Sequence, residues 1–171
     1  KILIVEHNHV KNNLKKLFPF KEIRVAKNSI NQFFIQNNNI NKSFYNKVSK
    51  IGVIGKNYIH KNLSIIPKIS KLLSEERVIH EFHFTLDSTD LLSSNKNYFF
   101  HGNLDMEKLY LFYKEMDVIF FPSNLECFSA TLIESLYTST PIVCSNYDFN
   151  YQIINEYGVY FKPNDEVDAF E

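Results

Sequence analysis

The sequence predicts an α/β chain built on a Rossmann-like, doubly wound parallel sheet. Three observations carry that expectation. From Lys50 onward, strand-length apolar runs alternate with helix-period segments at least five times. The stretch Asp117 to Ser145 reads strand, polar loop, short helix, strand, and that unit requires a parallel crossover. The chain, at 171 residues, is long enough to bury a core in one domain, or in one domain plus part of another.

The elements follow in order. Ile2 to Val5 is a short buried strand, and His9 to Phe18 a helix with Val10, Leu14 and Leu17 on one face. Glu22 to Ala26 is a second strand. The polar stretch Asn28 to Ser49, with three successive asparagines at 37–39, reads as a turn-rich linker with few packing residues. The expected domains are therefore 1–45, the end of one domain and its linker, and 46–171, the main domain. Ile51 to Ile54 is a strand. Leu63 to Leu73 is a helix whose apolar face is Leu63, Ile66, Ile69 and Leu73. Val78 to Thr85 is a strand, and Asp87 to Asn97 a polar connection with room for one helical turn. Tyr98 to Phe100 is a strand and Met106 to Met116 a helix. Asp117 to Phe121 is a strand, Phe128 to Tyr137 a helix, and Pro141 to Cys144 a strand. Phe149 to Asn155 is a short helix and Val159 to Phe161 the last strand, with another helix opening near Asn164 or Asp165.

Composition excludes several classes. Net charge is zero, which argues against a nucleic-acid binder held by bulk charge. Cys127 and Cys144 make no disulfide framework and read as small buried hydrophobes in a reducing compartment. No apolar run reaches the roughly 18 residues that span a bilayer, and no signal peptide is recognisable. Lys1 is not an initiator Met and the last residues fall inside an expected helix, so the chain reads as a fragment.

Two motifs could carry chemistry. Gly55-Lys56-Asn57-Tyr58-Ile59-His60-Lys61 follows a strand and precedes a helix, where such a fold places its first phosphate loop. It is neither a dinucleotide fingerprint nor a Walker A motif. Its glycine permits a tight turn, and Lys56 and Lys61 could clamp a diphosphate, although lysines at helix starts are usually only solvated. Glu126 and Glu134 are eight residues apart; on one helix they would lie about 80° apart. A loop carboxylate at Glu126 could orient sugar hydroxyls. A carboxylate on the exposed side of the helix at Glu134 could accept ribose hydroxyls. The N–H groups of Phe128, Ser129 and Ala130 could hold phosphate. The competing reading is a capping box, Ser123-Asn124-Leu125-Glu126, with Glu134 an ordinary exposed helix residue.

Other polar residues carry less. His80 and His83 fall on opposite faces of a strand and form no metal pair. His7 and His9 could share a face if the first strand continued, with no third ligand in place. Asp87 and Asp90 read as solvated loop residues.

Taken together, these residues resemble the C-terminal, donor-binding half of the retaining GT-B glycosyltransferases of the group 1, or family 4, type. Four segments occur in that family's order: Gly55-Lys56-x4-Lys61; Phe99-Phe100-His101-Gly102 with its helix; Asp117 to Ser123; and Glu126-x7-Glu134 followed by Thr140 to Ser145. A fifth, Val25 to Asn31, is similar to the link between the two halves. The resemblance implies transfer of a sugar from a nucleotide-diphosphate donor, of UDP or GDP type, to a saccharide or lipid-linked saccharide acceptor, with retention. It implies Lys56 and Lys61 at the diphosphate and Glu126 at the transferred sugar, these three being the catalytic set. It implies Glu134 at the ribose, the N–H groups of Phe128, Ser129 and Ala130 at the phosphates and sugar, and His101, Gly102, Asn103 and Leu104 against the nucleobase. No metal or other cofactor is implied. Nor is a nucleic-acid partner.

The wider pattern is similar to bacterial surface-polysaccharide transferases of O-antigen or capsule synthesis. That places the chain in the cytoplasm, with room for peripheral contact at the inner membrane face through a missing N-terminal domain; alone, the segment is expected to be inactive. The chain departs from the family where Lys56 stands for an arginine and where Cys127 and Ser129 stand for glycines. A non-catalytic nucleotide-sugar module with a degenerate site, or a GT-B sugar-nucleotide epimerase, are the alternatives.

Overall fold

The computed structural model describes residues 1–37, 48–88 and 95–171. Two parallel strands, β1 (Leu3–Val5) and β2 (Ile23–Val25), flank helix α1 (Asn8–Leu17), and α2 (Gln32–Gln36) follows. The main body then runs β3 (Ser49–Val53), α3 (Ile66–Glu75), β4 (His80–Phe84), β5 (Tyr98–Phe100), α4 (Met106–Glu115) and β6 (Val118–Phe121). It ends with α5 (Ala130–Tyr137), β7 (Ile142–Ser145), α6 (Asp148–Ile154) and β8 (Val159–Phe161). Short 3-10 turns at Ile59–Lys61 and Leu63–Ile65 lead into α3.

The second sheet has six parallel strands in the order β5-β4-β3-β6-β7-β8. Its direction of winding reverses between β3 and β6, so this is the doubly wound sheet expected. Loops leaving β3 and β6 diverge there and open a crevice at their carboxyl ends. Alternation along the strands divides the core. Phe82, Phe84 and Phe120 face Ile66 and Ile69 of α3, whereas Ile119 faces Phe112, Tyr113 and Met116 on the α4 side. A third cluster joins Phe121 and Cys144 to Leu132 of α5 and Ile154 of α6.

Two sequence expectations change. The stretch from Asn28 is not poor in packing residues. Asn31 caps α2 by accepting a hydrogen bond from the Phe33 N–H at 2.9 Å, and this short helix drives Phe34 into the α4 cluster with no exposure. Phe34 meets Tyr113 edge to face, with centroids 5.7 Å apart. An Asn-rich composition concealed the apolar Phe33-Phe34-Ile35 step. The expected boundary at 45/46 lies outside the described residues, as does Asp90 and most of the connection before β5. Second, no helix opens at Asp165. Asp165 Oδ1 accepts from the N–H groups of Val167 and Asp168, and the segment stays in successive turns. That side chain satisfies the donors locally, without propagation to an α-helix. Elsewhere element ends shift by a few residues. The α5 helix starts at Ala130 instead of Phe128, and β4 starts at His80 because Val78 N–H turns back to the carbonyl of Leu73.

Candidate functional site

The crevice between β3 and β6 brings together two segments that are far apart in sequence. Beyond β3, Gly55 takes φ +123°, which a side chain would strain, and its N–H donates to Thr85 Oγ1 at 3.0 Å. The chain then carries Lys56, exposed, and rises through the 3-10 turn to Lys61. Beyond β6, the loop descends through Pro122 and Ser123 to Glu126. Lys61 Nζ meets Glu126 Oε1 at 2.5 Å, and Ser123 Oγ lies 2.7 Å from the same oxygen. Both ionic side chains are less than one-fifth exposed, 17% and 11%. The ammonium also lies 5.2 Å from the Phe121 ring centroid. The main chain ties the two segments as well: the carbonyl of His60 accepts the Asn124 N–H at 2.7 Å and lies 3.2 Å from Ser123 Oγ.

The capping-box alternative does not hold. Glu126 spends Oε1 on Lys61 and Ser123, and α5 begins four residues later with Ser129 at its N-cap and no side-chain cap. Phe128, Ser129 and Ala130 N–H groups meet no acceptor among the described residues. These three residues lie at the end of the loop just after Glu126 and the start of α5.

Glu134 differs from expectation. The sequence places it on the exposed side of its helix, but it is 6% exposed. Its Oε2 accepts from Tyr113 Oη at 2.8 Å, within the packing of α4 against α5. Burial raises the Glu134 carboxyl above its ordinary value, and the Tyr113 bond partly offsets that. Burial, with the nearby carboxylate, pushes the Tyr113 hydroxyl well above its usual range. Helical periodicity hides this because α5 touches both α2 and α6, and its Leu132 packs on Phe121 and Cys144 of the sheet, leaving it almost no free face.

The third part lies at the ends of β4 and β5. A cleft of about 250 Å³ is bounded by Lys56, Asn57, Thr85, Asp87 and Asn103. Gly102 has φ +65° there, and a Cβ on it would stand 3.2 Å from Asp87 Oδ1. Asp87 is an exposed loop residue, as expected, and borders the cleft. Leu104 packs onto the Tyr113 cluster, fixing the far end of that loop. His101 sits above. Its Nε2 and His83 Nδ1 are 2.9 Å apart, and His83 Nε2 is 3.1 Å from Glu81 Oε2. Since the carboxylate can only accept, His83 Nε2 carries a proton, and in the neutral ring His83 Nδ1 accepts from His101 Nε2. Burial, then the neighbouring His83, lowers the His101 pKa below its ordinary value.

Further residues were not singled out by sequence. Tyr113, Thr85 and the His60 carbonyl act through pairings 21 to 63 residues distant, which no periodicity records. His9 lies on α1, as the helix expected from His9 requires; the first strand does not continue, and His7 is the helix N-cap. The two rings are 5.0 Å apart, and His9 Nε2 donates to the Glu126 carbonyl at 3.1 Å. Of the two cysteines, Cys144 is buried as expected, its thiol pushed up to about 12, but Cys127 is exposed. Its loop lies over the crevice and outside the core. His80 bonds Ser70 of α3 at 2.8 Å, away from His83, as strand alternation requires. Among the described residues, no three His, Cys, Asp or Glu side chains cluster as metal ligands, and no helix is long and apolar enough to cross a membrane.

The fold is a Rossmann-like, doubly wound parallel sheet with a lysine and a carboxylate paired at its switch point. The family is more particular. Residues 80–171 match the model for glycosyl transferases group 1, and the chain belongs to that family. Solved structures agree on the fold, which is that of the GT-B enzymes. TarM superposes with a TM-score of 0.81 over 99% of this chain and 35% of its own, at 14% identity. A glycosyltransferase from Rickettsia africae gives 0.78 at 18% identity, covering 99% of this chain and 51% of its own. Sucrose-phosphate synthase from Thermosynechococcus elongatus gives 0.76 at 17% identity, covering 98% and 46%. The chain thus spans a third to a half of these structures. A variant of S. aureus TarM was solved with Fondaparinux, alpha-GlcNAc-glycerol and UDP. No curated protein matches the sequence.

Proposed function

We propose that this chain is the donor-binding part of a glycosyltransferase that moves a sugar from a nucleotide-diphosphate donor to a hydroxyl acceptor. The observation that carries the reading is the meeting of Lys61 and Glu126 at the sheet's switch point, beside the open N–H groups of Phe128 to Ala130. Lys56 and Lys61 neutralise the diphosphate, a UDP or GDP type, as its bond to the anomeric carbon breaks. Their charges and the start of α5 do the work a metal ion otherwise does, so the reaction runs without one. Glu126, whose Oε2 has no partner among the described residues, takes hydroxyls of the transferred sugar. Glu134 receives the ribose on Oε1 while Tyr113 holds Oε2. His101, Gly102, Asn103 and Leu104 line the nucleobase, over the cleft that Lys56 and Asn57 close. Retention at the anomeric carbon, the division at residues 45/46, and service in bacterial surface polysaccharide synthesis complete the proposal. So does a place in the cytoplasm, at the inner membrane face.

A second reading has its own support. With Lys61 closed on Glu126 at 2.5 Å, and with Cys127 and Ser129 at positions of family glycines, the site could have become a non-catalytic module. Calorimetry with UDP and GDP separates the two. The donor reading expects binding of one nucleotide, weakened roughly ten- to a hundredfold by Lys61→Ala and by Glu134→Ala, the worth of a hydrogen bond to a charged group. Failure of both nucleotides to bind at millimolar concentration, or binding indifferent to both substitutions, favours the module.

A further inference from the structure

Glu81, His83 and His101 line up on one face of the main sheet, and the donor assignment uses only the last of them. Alternation puts Glu81 and His83 on the same side of β4. Register pairs His83 with Phe99 of the neighbouring β5, so His101, two residues beyond Phe99, continues that face. A chain of contacts results. Glu81 Oε2 lies 3.1 Å from His83 Nε2, and His83 Nδ1 lies 2.9 Å from His101 Nε2. The two imidazoles meet end to end, with centroids 5.2 Å apart and planes 23° apart, so a lone pair on one ring points at the N–H of the other.

The surroundings hold this chain in place. His83 is buried and lies flat on the Phe99 ring, with centroids 5.0 Å apart. Phe112 of α4 stands edge-on to His101 at 5.4 Å. The His101 N–H donates to the Phe84 carbonyl at 2.8 Å, which fixes the backbone as well. One nitrogen is left over. His101 Nδ1 has no partner among the described residues, and its ring is exposed beside Gly102 and Asn103, where Asn103 borders the cleft at Lys56.

The proton positions follow from the carboxylate, which only accepts. Neutral His83 carries its proton on Nε2 and presents a lone pair at Nδ1. Neutral His101 then carries its proton on Nε2 and leaves Nδ1 bare, because the bond at one ring nitrogen sets the state of the other. We propose that Glu81 and His83 are positioning residues that lock His101 as a hydrogen-bond acceptor toward the donor's base. The lock selects a base whose ring nitrogen bears a proton, uracil or guanine, over one whose ring nitrogen is bare, cytosine or adenine. The inference rests on the donor reading of the loop His101 to Leu104 and adds the physical reason for its choice of base.

Protonation undoes the lock, since an imidazolium at His101 turns Nδ1 into a donor. Burial first, then His83 and Lys50 of β3, lower the His101 pKa, while Glu115 of α4 opposes them. The accepting form therefore persists below the ordinary imidazole range, and base selection is lost only in stronger acid.

The test has two arms on the full chain. Magnetic resonance of isotope-labelled ring nitrogens, without nucleotide and near neutral pH, reads the tautomers. His101 is expected with its proton on Nε2. Glu81→Ala should turn His83 and His101 into tautomer mixtures, whereas Glu81→Gln, whose amide oxygen still accepts, should keep the lock. Calorimetry then compares UDP with CDP, and GDP with ADP. Either UDP or GDP is expected to bind roughly tenfold tighter than its partner, the worth of one hydrogen bond. Glu81→Ala should bring that ratio close to one, and Glu81→Gln should preserve it. A proton on His101 Nδ1 in place of Nε2, or a base preference that Glu81→Ala leaves unchanged, overturns the inference while the donor reading stands. The expected tautomers with no binding of any of the four diphosphates sink the donor reading, and the role in base selection with it.

Discussion

Glu126 and Glu134 sit eight residues apart on one loop and helix, yet their surroundings differ in kind. Glu126 belongs to a crevice wall, with a lysine and a hydroxyl on one oxygen. Glu134 belongs to the seam between α4 and α5, with a neutral phenol as its partner and burial raising its pKa. The first carboxylate is neutralised by a charge that a ligand could compete for. The second is held by packing that a ligand cannot easily disturb. Two acids of one type can thus take separate duties because their environments separate them.

The contrast can be broken most severely from behind Glu134. Phe34→Ala removes the ring that backs Tyr113 and should cost about 3–5 kcal/mol by chemical denaturation. Lys61–Glu126 should survive in whatever folded protein remains. Tyr113→Phe is the finer version. It leaves a buried carboxylate short of its donor, at about 1–3 kcal/mol, and a cost near zero would mean that the seam does not hold Glu134. On the other side, Lys61→Met should cost about 1–2 kcal/mol, less than a fully buried pair would, because the Glu126 carboxylate keeps Ser123 and can turn to water. A larger loss than Tyr113→Phe would reverse the comparison. The smallest effect concerns pH. Glu134 has a folded pKa above its unfolded value, so the folded state holds the extra proton between the two. Stability should fall as pH rises from the ordinary carboxyl range through that raised value, and Glu134→Gln should flatten this part of the profile. A profile unchanged by the substitution would show that Glu134 titrates normally.

Much of this was legible in the sequence, for local reasons. Strands such as Val159–Phe161 and Tyr98–Phe100 announce themselves by short apolar runs, and their alternation with helices dictates the parallel sheet. The partners of Lys61 and Glu126 could be guessed only through family resemblance, since they stand 65 residues apart. Glu134 escapes a reading of its own helix because its neighbours decide its exposure: Tyr113 of α4 bonds it, and α2 and α6 pack on α5. Phe34 was overlooked because a short capped helix inside an asparagine-rich stretch leaves little periodic signal.

The His60 carbonyl has one last consequence. By accepting the Asn124 N–H, with Ser123 Oγ also beside it, it fastens the lysine-bearing turn to the glutamate-bearing loop through backbone. The separation of cation and anion is then set like the gap of a caliper, by its frame and not by its tips. A ligand that parts Lys61 from Glu126 has to do so by rotating side chains, because the two jaws travel together.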